Sequence, residues 1–84
     1  MASDKIVMYG TTWCPDCRRA KQCFDKHGIA YEWSNIEQDA EARARVVEIN
    51  HGNRSVPTIV FPDGSVLVEP SNAELEKKLG VASK

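Results

Sequence analysis

Two cysteines separated by two residues, Cys14-Pro15-Asp16-Cys17, are the part of this chain best equipped for covalent chemistry. Such a pair can open and close a disulfide, or it can supply half of a metal site. The thiolate is the attacking species, and an ordinary cysteine with a pKa of about 8.5 is only slightly ionised at neutral pH. The neighbours of Cys14 change that. Pro15 suits the first position of a helix, where its missing N–H would be unpaired anyway, so Cys14 falls at the cap. There it faces free N–H groups and the positive end of the helix dipole, worth roughly 0.3–1 kcal/mol and up to ~2 when partly buried. Cys17, inside the first turn, is more sheltered and can give a thiol hydrogen bond to the anion. Attack is therefore assigned to Cys14, and resolution of the mixed disulfide to Cys17. Asp16 works the other way: at about 7 Å, a carboxylate repels the thiolate by roughly 0.6–2.4 kcal/mol, less whatever Arg18 and Arg19 offset. Replacing Asp16 with asparagine is expected to favour the Cys14 thiolate, unless Asp16 serves only as a helix-start charge.

The elements that must position this pair can be read from periodicity. Ile6-Val7-Met8-Tyr9, closed by Gly10-Thr11-Thr12, is a short apolar run of the kind found in a strand buried on both faces. Cys17, Ala20, Phe24 and His27 then recur at helical spacing until Gly28 stops the helix. Tyr31-Glu32-Trp33-Ser34 alternates as an edge strand does, with Tyr31 and Trp33 on one face. Asp39 caps a second helix with Ala42, Val46 and Ile49 on one side and a Glu41–Arg45 pair on another, ending at Asn50-His51-Gly52-Asn53. Thr58-Ile59-Val60-Phe61, the turn Pro62-Asp63-Gly64 and Val66-Leu67-Val68 predict a hairpin. Ser71-Asn72-Ala73-Glu74 is a capping box for a last helix carrying Leu75 and Leu79 and closed by Gly80. The order βαβαββα is of the α/β class: a parallel pair joined by a right-handed crossover, then an antiparallel hairpin.

Composition narrows the setting. A chain of 84 residues makes one domain, residues 1–84, with a small core. Its hydrophobic share of 42% and charged share of 27% are ordinary for a globular protein, and a formal charge of -1 gathers neither nucleic acid nor anionic lipid. The stretch before Ile6 is too short and polar for a signal peptide or a membrane span, so a cytoplasmic protein is expected. Three cysteines with one close pair do not form the framework of a small secreted domain.

The C-x-x-C at the first helix, this strand order and Val56-Pro57 about forty residues later together resemble the thioredoxin fold in its shortest form, that of glutaredoxins. The resemblance covers nearly the whole chain and implies a four-stranded mixed sheet flanked by three helices. Tyr9-Gly10-Thr11-Thr12-Trp13-Cys14, Gly52-Asn53-Arg54-Ser55-Val56-Pro57 and Asp63-Gly64-Ser65 look most like mycoredoxins and related bacterial proteins. It implies a cis Val56–Pro57 bond, with the Val56 main chain offered to the incoming disulfide. Trp13 is expected beside the active-site loop, shielding Cys17 and giving an apolar contact to substrates. Pro15, Arg54, Val56 and Pro57 join it as substrate-binding residues. Many glutaredoxins meet the two carboxylates of glutathione with a lysine shortly before the motif and an aspartate at the last helix start. Here those places read Thr11 and Ser71-Asn72, which fits mycothiol, a thiol without free carboxylates, better.

The remaining candidates read as structural. Cys23 lies six residues past Cys17, ~9 Å along the helix and ~120° around it, out of reach of either motif sulfur. Neither His27 nor His51 has zinc spacing to the motif, so no bound metal or other cofactor is expected. The expected activity is dithiol–disulfide exchange on protein disulfides or mixed disulfides, by a monomer, with a low-molecular-weight thiol as co-substrate. Two alternatives remain: a disulfide reductase fed directly by a flavoprotein reductase, and an iron–sulfur or zinc carrier using Cys14 of two chains. Carriers in the family usually have glycine and phenylalanine around the motif and often a single cysteine, and this motif has neither pattern.

Overall fold

The computed structural model describes residues 5–80. At its centre β1 (Ile6–Gly10) pairs in parallel with β2 (Tyr31–Asn35) and antiparallel with β3 (Thr58–Val60). The short β4 (Val66–Val68) pairs antiparallel with β3, so the order across the sheet is β2-β1-β3-β4. The helices are α1 (Pro15–Lys26), α2 (Ala40–Ile49) and α3 (Asn72–Leu79). The predicted element order is the observed one, and β2 is an edge strand as its alternation implies.

Period-two alternation splits β1 between two unequal cores. Ile6 and Met8 join Ala20, Cys23 and Phe24 of α1, Ile59 and Phe61 of the hairpin, and Leu75 of α3. Phe24, Met8, Ile59 and Leu75 are fully buried, each worth roughly 1.5–3 kcal/mol of transfer free energy. The second cluster is smaller: Ile36, Ala42 and Val46, with Tyr9 and Val56 against them. Val7 and Tyr9 are therefore only half-buried, and β1 is not covered equally on both faces. The reason lies in α2, which buries only Ala42 and Val46 and leaves Ile49 half-exposed. Among the described residues, no ion pair joins Glu41 to Arg45; both line a shallow hollow beside Val7 and Tyr9 instead.

Local signals set the element ends. The Asp39 carboxylate accepts from the N–H groups of Glu41 and Ala42 at 3.0 and 3.1 Å, capping α2. Ser71 and Glu74 satisfy each other's backbone N–H at the start of α3, and Gly80 ends that helix with φ 71°, a conformation that favours glycine. In the hairpin turn, the Asp63 carboxylate accepts from Ser65 N–H at 2.9 Å and from Lys78 Nζ at 2.7 Å. Lys78 first, then Ser65, holds that carboxyl well below the usual carboxylate range. Among the described residues no helix is long and apolar enough to cross a membrane.

Candidate active site

The end of β1 and the start of α1 bring the two motif sulfurs together. Cys14 is the N-cap of α1, with Pro15 in the first turn, and the Cys17 N–H donates to Cys14 Sγ at 3.1 Å. This is the contact a thiolate needs at a helix start, supplied by a donor with no partner inside the helix. All three cysteines are free thiols. Cys14 is 5% exposed and Cys17 1%, so Cys14 has the greater access. The Cys17 thiol is pushed up to about 12, first by burial and then by its hydrogen bond to Cys14, while the Thr11 backbone and Lys21 act in the opposite direction. It therefore stays protonated beside Cys14 at neutral pH.

Gly10 makes this packing possible. A Cβ on Gly10 would lie 2.5 Å from Cys17 Sγ and 2.8 Å from the Trp33 ring, closer than side-chain carbons approach. Trp33 thus sits against the same point as Cys17, and Lys21 lies over its ring at 3.5 Å from the centroid. The tryptophan next to the buried cysteine is Trp33, reached across the parallel β1–β2 pair. Trp13 is 64% exposed and does not have the shielding position expected of it. Its Nε1 donates instead to Glu37 at 3.0 Å, which holds the ring at the rim of the site.

The Val56–Pro57 bond is cis. The Cys14 thiol faces the Val56 carbonyl, with Sγ 3.9 Å from the oxygen, so the backbone just before the cis bond lies beside the first motif sulfur. Pro57 is fully buried behind it. Next to this backbone runs a groove of about 250 Å³ that brings Trp13, Arg54 and Val56 together with Thr11, Ile36, Glu37 and Arg43. Pro15 and Pro57 do not line it; Pro15 is exposed at the helix start. Asp16 is half-exposed and paired with Arg19 at 3.4 Å, a cation that offsets part of its repulsion toward the thiolate.

Two groove residues, Glu37 and Arg43, escaped the sequence reading as contact groups, and Thr11 entered it only as a place without a lysine. Thr11 is 4% exposed, and among the described residues its hydroxyl has no hydrogen-bond partner. A buried hydroxyl left unpaired costs about 1–3 kcal/mol, which an incoming acceptor or donor would recover. Glu37 and Arg43 come from the β2–α2 connection and from α2, and Arg43 is held by a bond to the Ile36 carbonyl at 3.0 Å. Polar residues in a helix start and a loop carry no periodic signal, so only the fold shows them converging. Cys23, in contrast, is buried in the main core, and burial pushes its thiol up, first by desolvation and then by the nearby Glu76. Both effects disfavour its thiolate, the form that takes part in exchange.

The Glutaredoxin family model matches residues 6–67, a span that includes both cysteines and the cis proline. The chain belongs to the glutaredoxin family. This glutaredoxin is 40% identical over 79 residues to a Mycobacterium tuberculosis protein carried under the glutaredoxin name, with 94% of each chain covered. It is 38% identical over 74 residues to mycoredoxin 1 of Corynebacterium glutamicum, covering 88% of this chain and 91% of the other. Among solved structures, a variant of the thioredoxin-like protein BC3987 superposes with a TM-score of 0.83 at 30% identity, covering 95% of this chain and all of the other. The α/β fold is thus thioredoxin-like, a mixed four-stranded sheet with three helices. This glutaredoxin is a thiol–disulfide oxidoreductase, and the family uses a low-molecular-weight thiol as co-substrate.

Proposed function

We propose that this glutaredoxin, a single domain working as a monomer in the cytoplasm, reduces protein disulfides and mixed disulfides, with mycothiol favoured over glutathione. The groove beside Cys14 carries the preference. It is lined by the buried, neutral Thr11 hydroxyl and by Glu37. A carboxylate of glutathione near Glu37 meets like charge, about 1–4 kcal/mol at 4 Å, whereas a sugar hydroxyl can donate to it. At the start of α3, Ser71 and Glu74 are occupied with capping each other. Two cations on the groove wall oppose the preference: Arg54, which is exposed, and Arg43, which is bonded to the Ile36 carbonyl. The similarity to a mycoredoxin supports the same reading.

Catalysis then proceeds by two sulfur displacements. The Cys14 thiolate attacks one sulfur of the substrate disulfide; a bond to Cys14 forms and the other sulfur leaves as a thiolate, which takes a proton. In the second step a free mycothiol thiolate attacks the substrate-derived mixed disulfide, or Cys17 loses its proton and attacks Cys14, closing the Cys14–Cys17 disulfide. Burial, the largest cause of the raised Cys17 thiol, persists when Cys14 is part of the mixed disulfide, so Cys17 competes poorly with an incoming thiolate. Mixed disulfides should therefore turn over through Cys14 alone, and protein disulfides through both cysteines.

The test is to mix the oxidised protein separately with mycothiol, glutathione and a thioredoxin reductase system and to follow its reduction. Fastest reduction by mycothiol is the expected result. Faster reduction by glutathione or by the reductase system would overturn the preference.

A further inference from the structure

Away from the active site, the far end of α1 and the side of α3 bring together a second set of reactive side chains. Cys23 on α1 and His27, the residue that caps its C-terminus, are four residues apart and fall on the same side of the helix end. Glu76 of α3 packs against that face, with His27 Nε2 3.0 Å from its Oε2. The Cys23 sulfur, a His27 ring nitrogen and a Glu76 carboxylate oxygen all lie within 4.8 Å of one another. Cys23 is 4% and Glu76 7% exposed, and the His27 side chain 13%.

We propose that Cys23, His27 and Glu76 form a binding site for a divalent transition metal, with Zn²⁺ the ion the donor set fits best. One sulfur, one imidazole nitrogen and one carboxylate oxygen are the three donor types zinc takes, at about 2.3, 2.0–2.1 and 2.0–2.2 Å. Sulfur and imidazole donors select against Mg²⁺ and Ca²⁺, which require mainly oxygen. Tetrahedral bonding at those lengths sets donors ~3.3–3.6 Å apart, so the widest separation must close by about an ångström. The His27–Glu76 pair, at 3.0 Å, must open by about 0.3 Å to reach that spacing, and the Cys23 sulfur lies within 4.8 Å of both donors. Three protein donors leave a fourth position for water.

A His–Glu hydrogen bond packed beside an inert core cysteine is the competing account. It explains the 3.0 Å contact but gives the Cys23 sulfur no part in it. Spacing counted from the C-x-x-C motif could not reveal this site, because its third donor comes from α3, about fifty residues along the chain from Cys23 and His27. The site is separate from the dithiol, since Cys23 lies six residues, ~9 Å of helix rise, beyond Cys17. An ion there would tie the end of α1 to α3, the two helices that cover the main core.

The dithiol can bind zinc itself, so it must be silenced in the test. Co²⁺ and then Zn²⁺ are titrated anaerobically into the Cys14→Ser/Cys17→Ser protein, and in parallel into wild-type protein with Cys14 and Cys17 joined as a disulfide. The expected result in both is one Co²⁺ per chain with a thiolate-to-cobalt charge-transfer band, displaced by Zn²⁺, which also raises the melting temperature. Cys23→Ser removes the band, and His27→Gln and Glu76→Gln each weaken Zn²⁺ binding by at least about tenfold while keeping the native circular dichroism. Absence of the band from both parent forms, or Zn²⁺ binding unaltered in Cys23→Ser and Glu76→Gln, would overturn the site and leave a plain His27–Glu76 hydrogen bond.

Discussion

At the scale of single residues, the chemistry divides between two sulfurs in different surroundings. Cys14 accepts a backbone N–H at a helix start, while Cys17 is buried against Trp33 and Gly10 with its thiol pushed up to about 12. The second fact has a stability consequence. A thiol titrating near 9.0 in the unfolded chain and about 12 in the fold favours the folded state below about pH 9 and loses that contribution as pH rises toward 12. The reduced Cys17→Ser protein has no Cys17 thiol to titrate, while Cys14 and Cys23 are present in both proteins. Thermal melts between about pH 9 and 11 should therefore show the reduced wild-type protein losing stability relative to reduced Cys17→Ser; a constant difference would contradict the assignment. The motif and its helix were legible in the types and spacing of Cys14, Pro15 and Cys17. The placing of the two tryptophans was not. Trp13 is next to Cys14 in sequence, yet Trp33 reaches the buried sulfur, because strand pairing sets Met8 opposite Trp33 and brings β2 alongside the motif. Asp16, paired with Arg19 and half-exposed, has less leverage on the thiolate than its place in the motif suggests.

At the scale of elements, the junction of β1 with α1 is the feature on which the site depends. Gly10 ends the strand where a side chain would collide with Cys17 and Trp33 together. Gly10→Ala should destabilise the protein by about 1–3 kcal/mol, the usual cost of overpacking, and displace Cys17. Denaturant unfolding would measure it, and an unchanged midpoint would show that the junction yields without cost. Caps and turns were the most legible features, since Asp39, Ser71 with Glu74, and Gly80 act on their nearest neighbours. The burial of β1 was less so. An apolar run signals that a strand is central, but how well each face is covered depends on the helix above it, and α2 offers only Ala42 and Val46. The groove has the same origin: Thr11, Glu37 and Arg43 meet beside Val56 only because three separate segments converge there.

At the scale of the molecule, the sheet lets one long helix serve two ends. The N-terminus of α1 presents Cys14 beside the cis Val56–Pro57 edge, and its C-terminal turn meets α3 at Cys23, His27 and Glu76. The overall fold was readable from element order, whereas the second cluster required the packing of α3 against α1. The central claim concerns the first end: Cys14 forms the mixed disulfide, and mycothiol is the thiol that releases it. Mass spectrometry of the Cys17→Ser protein after exposure to mycothiol disulfide tests this most directly. The account predicts one mycothiol joined to the peptide containing Cys14, removed by free mycothiol about tenfold or more faster than by glutathione, a difference of about 1.4 kcal/mol. An adduct on Cys23, no adduct on Cys14, or faster removal by glutathione would contradict it.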